Sequence, residues 1–179
     1  MKSISPVILF NVVAFQLLWA AAVMGAAAGL PWLAWLVLMG MLAGQWWLGG
    51  PWRQDLFMMA VGALACLLLE PVWLVSDILA YRDWQYAWLA PGWIWALWMG
   101  FAVSFHYALG WLGQHPVAGI LLGALGGGFS VIMGIRLGAA SAPQGEMMLV
   151  LVYALTWSLT VPLLAALARR HRAGRGRYA

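Results

Sequence analysis

"LFMMAVGALACLLLEPVWLVSDILA", residues 56–80, decides how the chain folds. Only Glu70 and Asp77 carry charge in this stretch, and Pro71 directly follows the first of them. A helix that crosses a bilayer needs about 20 largely apolar residues, and this run is long enough. An ionisable side chain inside such a helix is costly, so it faces protein or water rather than lipid. Where the two acids face therefore depends on the rest of the chain.

That rest is of the same kind. Of 179 residues, 65% are hydrophobic and 8% charged, and the mean hydropathy is +0.89. Ordinary soluble domains are about 45–50% apolar and about 25% charged. Polar surface this scarce cannot cover the protein in water, so lipid must cover much of it. The single cysteine, Cys66, excludes a disulfide framework. The net charge of +4 comes largely from Arg169, Arg170, Arg172, Arg175 and Arg177. A terminal block of this kind reads as a solvated tail at a membrane surface, and no nucleic-acid-binding fold stands behind it.

The expected fold class is all-α: a polytopic bundle of six transmembrane helices near 6–28, 32–48, 56–80, 93–112, 117–139 and 147–168. These form one domain, 1–168, followed by a basic tail, 169–179. The breaks "GLPW", "GGPWRQD", "YRDWQYAWLAPG", "GQHP" and "SAPQGE" each contain Gly or Pro. The first run exceeds the 7–15 residues of a usual signal core and carries Asn11 and Gln16, so it reads as a retained helix.

With six spans, Lys2, Arg53 and the tail arginines share one side, while Arg82 and Arg136 fall on the other. The bias places both termini in the cytoplasm of a bacterial inner membrane. Most of the 14 tryptophans suit the two wet edges of the bilayer. Trp19, Trp73 and Trp157 fall deeper, as packing or pocket residues. Trp84 and Trp88, four apart in the longest loop, predict a short interfacial helix.

In the fifth span Gly119, Gly123 and Gly127 recur every four residues, and Ser130, Gly134 and Gly138 continue the small-residue pattern. Small residues at this spacing let helix backbones approach closely in lipid. The expectation is a central helix touched on several sides.

Glu70 and Asp77 are two helical turns apart, hence on roughly one face. Arg136 comes at a depth similar to Asp77, which predicts an Arg136–Asp77 ion pair with Glu70 deeper in the same cavity. Pro71 leaves the Leu67 carbonyl without its helical donor. A carboxyl beside such a gap can hydrogen-bond, take a proton or bind a cation. Trp73 and Trp98 complete this candidate pocket in the outer half of the membrane. Asn11, Gln16 and His106 are polar residues embedded toward the other side, of the kind that bond neighbouring helices. His115 and His171 add no metal-ligand spacing, and no nucleophile motif or dinucleotide fingerprint is present. No cofactor can be assigned.

The segments "FNVVAFQLLWAAAVMGAAAGLPWL", "PGWIWALWMGFAVSFHYALGWL" and "GALGGGFSVIMGIRLGAA" resemble a proteobacterial inner-membrane family catalogued as domain of unknown function 2878. The resemblance implies an acid in the third span, matched by Glu70, and a polar residue at Arg136. It also implies an Asn-His pair in the fourth span, where this chain reads His106-Tyr107. It suggests a link to lipid modification or envelope stress and supplies no activity. Three readings follow: a pocket that binds or helps process a lipid-like amphiphile, a proton- or cation-coupled transporter using Glu70, and a non-catalytic subunit beside a membrane-protein partner.

Overall fold

The computed structural model describes residues 5–175, so Lys2 and Arg177 lie outside the described residues. Six α-helices follow one another: α1 (Pro6–Ala27), α2 (Leu33–Trp47), α3 (Trp52–Val75), α4 (Gly92–Ser104), α5 (Pro116–Arg136) and α6 (Glu146–Arg175). Between α3 and α4 lies strand β1 (Ala80–Tyr81), and between α5 and α6 strand β2 (Ala140–Ser141). The two strands form an antiparallel ribbon with Ala80 opposite Ser141 and Tyr81 opposite Ala140.

Four helices (α1, α3, α5 and α6) are long and apolar enough to cross a membrane. Their outward faces carry large apolar side chains at helical spacing. Val117, Leu121, Leu125 and Phe129 line one face of α5, with Leu125 72% exposed. Met147, Leu151, Leu155, Leu159 and Leu163 do the same on α6. Continuous apolar stripes turned outward on several helices are what lipid contact requires, and a monomer in water avoids them.

The other two helices are shorter than the sequence suggests. At 15 and 13 residues, α2 and α4 rise only about 22 and 20 Å. The expected fourth span, 93–112, stops at Ser104 as a regular helix. Phe105, His106 and Tyr107 donate to carbonyls three residues back, at 3.2, 2.9 and 3.0 Å, and a 3-10 turn over Gly110–Gln114 follows. The tightening has a cause: it turns Tyr107 inward onto Asp55, while Asn11 Oδ1 accepts from the Ala108 N–H at 3.2 Å. An apolar run cannot reveal that two of its polar residues are wanted elsewhere.

Helix α4 lies in the interior, packed against α1, α2 and α3, whereas α5 packs chiefly on α6. The expectation of a central α5 is thereby corrected. Its glycines serve one partner: Gly119 approaches Pro162, Gly123 the Trp157 backbone and Val161, and Gly127 the Trp157 ring. Close approach within the first four helices uses other glycines. A Cβ at Gly62 would meet the Trp98 carbonyl on α4, and one at Gly100 the Leu18 side chain on α1.

The ends of α3 and α5 are built alike and lead into the ribbon. At α3 the Ile78 N–H returns to the Trp73 carbonyl (3.2 Å) and the Asp77 N–H to Leu74 (3.1 Å), with Asp77 left-handed at φ 56°. At α5 the Ala139 N–H returns to Gly134 (2.9 Å) and Gly138, at φ 81°, donates to Ile135. Each is a helix stop that a left-handed residue makes feasible. The segment after β1 holds turns instead of the interfacial helix expected around Trp84 and Trp88. The Trp84 indole donates to the Leu89 carbonyl at 2.6 Å and so fastens the loop to itself. At the far end α6 continues as a helix through Arg169, Arg170, His171 and Arg172 to Arg175.

Candidate functional site

Helix α3 turns one stripe inward: Asp55, Met58, Gly62, Cys66, Glu70 and Trp73 are all buried. The spacing of three and four residues keeps them on one side of the helix, which packs against α4. Buried carboxylates stand near both ends of that stripe.

Glu70 is 2% exposed and fully engaged by aromatic donors. Tyr81 donates its hydroxyl to Oε2 at 2.6 Å, and the Trp98 indole donates to Oε1 at 2.8 Å. The ribbon is what makes the first bond feasible, because it holds Tyr81 inward while the helix stop at Asp77 reverses the chain. Burial, with the Glu70 charge adding to it, pushes the Tyr81 phenol well above its ordinary range, so it serves as a donor. Behind these groups Trp73 packs on Tyr153 with ring centroids 4.5 Å apart, and Trp98 stacks on Trp157 at 4.8 Å.

The carboxyl forms part of the wall of a cavity of about 380 Å³. Its lining comes from α1, α3, α4, the turn after α4, α5, α6 and the ribbon, and is mostly aromatic and aliphatic, with Phe15, Trp19, Trp93, Trp98, Phe101 and Trp157 among the large rings. Its polar groups are few, among them Glu70, Gln16 and Ser130. Of all the lining residues only Gln16, Leu122, Gly126 and Phe129 are exposed, and they lie on α1 and α5. The mouth is therefore the gap between those two helices. Gln16 and Gly126 each stand at the middle of their helix, so the mouth opens midway along two helices that are long and apolar enough to cross a membrane. One polar bond bridges the gap, from the Trp19 indole to Ser130 Oγ at 2.9 Å.

The remaining pocket candidates separate. Trp98 lines the cavity, and Trp73 supports its wall from behind. Asp77 is exposed at the helix stop, outside the lining. Arg136 does not pair with it. Instead Arg136 makes a two-pronged contact with Glu146 at 3.0 and 2.8 Å, with both side chains largely exposed. The ion pair expected between Arg136 and Asp77 is thus replaced by one across the α5–α6 turn, where Glu146 opens the next helix. Gly123, Gly127 and Gly134 contribute to the cavity floor, while Gly119 serves packing alone and Gly138 the helix stop.

The other end of the stripe holds a second polar centre. Asp55, fully buried, accepts from the Tyr107 hydroxyl at 2.8 and 3.0 Å and from the Trp46 indole at 2.9 Å. His106 Nδ1 lies 3.7 Å from its carboxylate, beyond hydrogen-bond reach. Asn11 is next to it, donating to Gln45 Oε1 and Ser104 Oγ at 3.4 Å each. Arg172 reaches the carbonyls of Phe105 and His106 at 3.4 Å, tying α6 to the turn. Among the described residues no group of three or more His, Cys, Asp or Glu side chains could hold a metal ion.

Asp55 and Tyr81 are among the residues sequence reasoning passed over, and both fall in segments that read as breaks between helices. A signal for Asp55 exists: its 15-residue separation from Glu70 brings the two within about 60° on one helix face. Tyr81 offers no comparable signal, since its approach depends on the ribbon.

A family model described as "Protein of unknown function (DUF2878)" matches residues 8–163. The chain belongs to that family. The match takes in both polar centres and every residue of the cavity lining. No curated protein and no solved structure matches the chain.

Proposed function

We propose that this family member is a six-span inner-membrane protein that receives a lipid-like or amphiphilic small molecule from the bilayer into the cavity between α1 and α5. The observation that carries the reading is the cavity itself: about 380 Å³, walled by aromatic rings, with a buried carboxyl at Glu70 and a mouth midway along α1 and α5. Ligand pockets are typically apolar hollows of this order with a few convergent polar groups. A mouth within the hydrocarbon favours a molecule already dissolved there. Crossing by the two short helices is consistent with this, because the irregular backbone after α4 is covered by protein, the condition for tolerating it at membrane depth. The clustering of Arg53 and the α6 arginines away from Arg82 and Arg136 supports cytoplasmic termini.

Native mass spectrometry of protein extracted in a mild detergent tests the reading. The expected result is a retained amphiphile on the unaltered chain. It should be lost from Gly126→Trp, which plugs the mouth at a position where an added side chain has open space. Protein that is repeatedly empty under conditions that preserve other lipid complexes defeats the proposal.

A further inference from the structure

Among the described residues no cation pairs with the buried acid Glu70. Ion pairs among the described residues join Arg82 to Asp83 and Arg136 to Glu146, His106 lies 3.7 Å from Asp55, and none of these contacts involves Glu70. The titratable groups around it are the Tyr81 and Tyr153 phenols and the Cys66 thiol, none of which carries positive charge. Two neutral donors satisfy its oxygens as hydrogen-bond acceptors and would leave the charge of the ionised form unbalanced. A carboxylate away from water is tolerated when a counter-charge reaches it. The chain supplies none among its described residues, while the cavity leaves room for one.

The walls have the matching character. Indole faces attract cations through their quadrupole, and aromatic cages around a carboxylate are a recurrent way to hold quaternary ammonium groups. Trp19, Trp93, Trp98 and Trp157 all line the cavity. A phosphate-bearing headgroup fits poorly, since no Lys or Arg is among the lining residues to meet it.

Resting on the amphiphile reading above, we infer that the ligand is a lipophilic cation, an ammonium- or phosphonium-type group on an apolar body, which enters sideways from the bilayer and pairs with Glu70. Its charge lies against the carboxylate and the indole faces, and its apolar part fills the hollow toward Gln16 and Gly126. Trp19 bonded to Ser130 narrows the way in.

The test uses purified full chain in nanodiscs, with empty nanodiscs as blank. The probes are tetraphenylphosphonium, the anion tetraphenylborate of the same shape, and neutral triphenylphosphine oxide. The cation should bind at least about tenfold tighter than the neutral probe, and the anion should not bind above the blank. Glu70→Gln should remove that preference and leave neutral binding in place, while Glu70→Asp should keep most of it. Cation affinity should rise with pH and level off, because only the ionised carboxyl attracts the charge, while neutral binding stays flat. Equal binding of cation and neutral probe, or a flat pH profile for the cation, overturns the inference even if Glu70→Gln fails to fold. A lipid retained in native mass spectrometry together with indifference to probe charge would sink the cation and spare the amphiphile.

Discussion

Helix α3 carries two buried carboxylates on one inward stripe, and they are treated in opposite ways. Asp55 is closed in: Tyr107, Trp46 and His106 surround it, and Asn11, Gln45 and Ser104 extend the polar region across three more helices. Glu70 has two donors on one side and a hollow on the other. Burial is nearly the same, 0% against 2% exposure, so burial cannot tell the two apart. What separates them is whether the neighbours that satisfy the acid also fill the space around it. An enclosed network fixes the helices that contribute to it, whereas a carboxyl beside open volume is available to a ligand.

The largest expected effect follows from removing the enclosed acid. Asp55→Ala strands the buried Tyr107 hydroxyl, at about 1–3 kcal/mol for an orphaned buried group, and also removes the acceptor of the part-buried Trp46 indole. The loss in thermal unfolding in detergent should therefore be on the order of 3 kcal/mol, with poor yield of folded protein. Glu70→Gln keeps the shape and one acceptor oxygen, and is expected to cost about 1 kcal/mol while abolishing the preference for a cationic ligand. Should Glu70→Gln unfold the protein as readily as Asp55→Ala, both centres are structural and the contrast collapses.

This contrast was half legible beforehand. Because lipid demands continuous apolar sequence, apolar run lengths locate all six helices and the ends of α1, α2 and α5 to within a few residues, while α4 stops eight residues early and α6 runs seven residues on. Glu70 stands out for the same reason, as an acid in an otherwise apolar run. Asp55 does not, since a polar residue four positions into a helix, after "GGPW", looks like the end of a loop. The early stop of α4 at Ser104 was hidden because "FHYALGWL" holds no Gly-Pro break and interrupts the apolar run only at His106 and Tyr107. Only the pull of Asp55 on Tyr107 and of Asn11 on the Ala108 N–H shortens it. Tyr81 became a partner of Glu70 through pairing with Ala140, 59 residues away, and no local pattern announces such a contact. The α5 glycines were recognised as a packing stripe, and their single partner, α6, was not.

The mouth of the cavity gives a sharper test of openness. Trp19→Phe keeps a smaller aromatic ring and deletes the indole N–H that spans from α1 to Ser130. Interhelical hydrogen bonds of this kind are worth about 0.6 kcal/mol on average, so unfolding should barely shift. Exchange of a bound probe, followed by stopped-flow dilution, should quicken by a few-fold, since one bridging contact less holds α1 and α5 together. A rate that does not change places the exit elsewhere and breaks the link between the α1–α5 gap and the site.

The smallest effect belongs to the acid that shared a face with Glu70 on paper. Asp77 is exposed and left-handed at φ 56°, where its Cβ is mildly strained and its backbone stops α3. Asp77→Gly removes that strain and adds backbone freedom to the unfolded chain, which offsets part of the gain, so the net change should fall within about 1 kcal/mol and lean toward stabilisation. Ligand affinity should stay as it is, because the carboxyl lies outside the cavity lining. Arg136→Ala belongs with it: the exposed pair with Glu146 contributes about 0–1 kcal/mol, less in high salt. A clear loss of cation binding in Asp77→Gly would mean that charge at the outer end of α3 acts on the ligand at a distance. The division between an enclosed acid and an open one would then have to include a third.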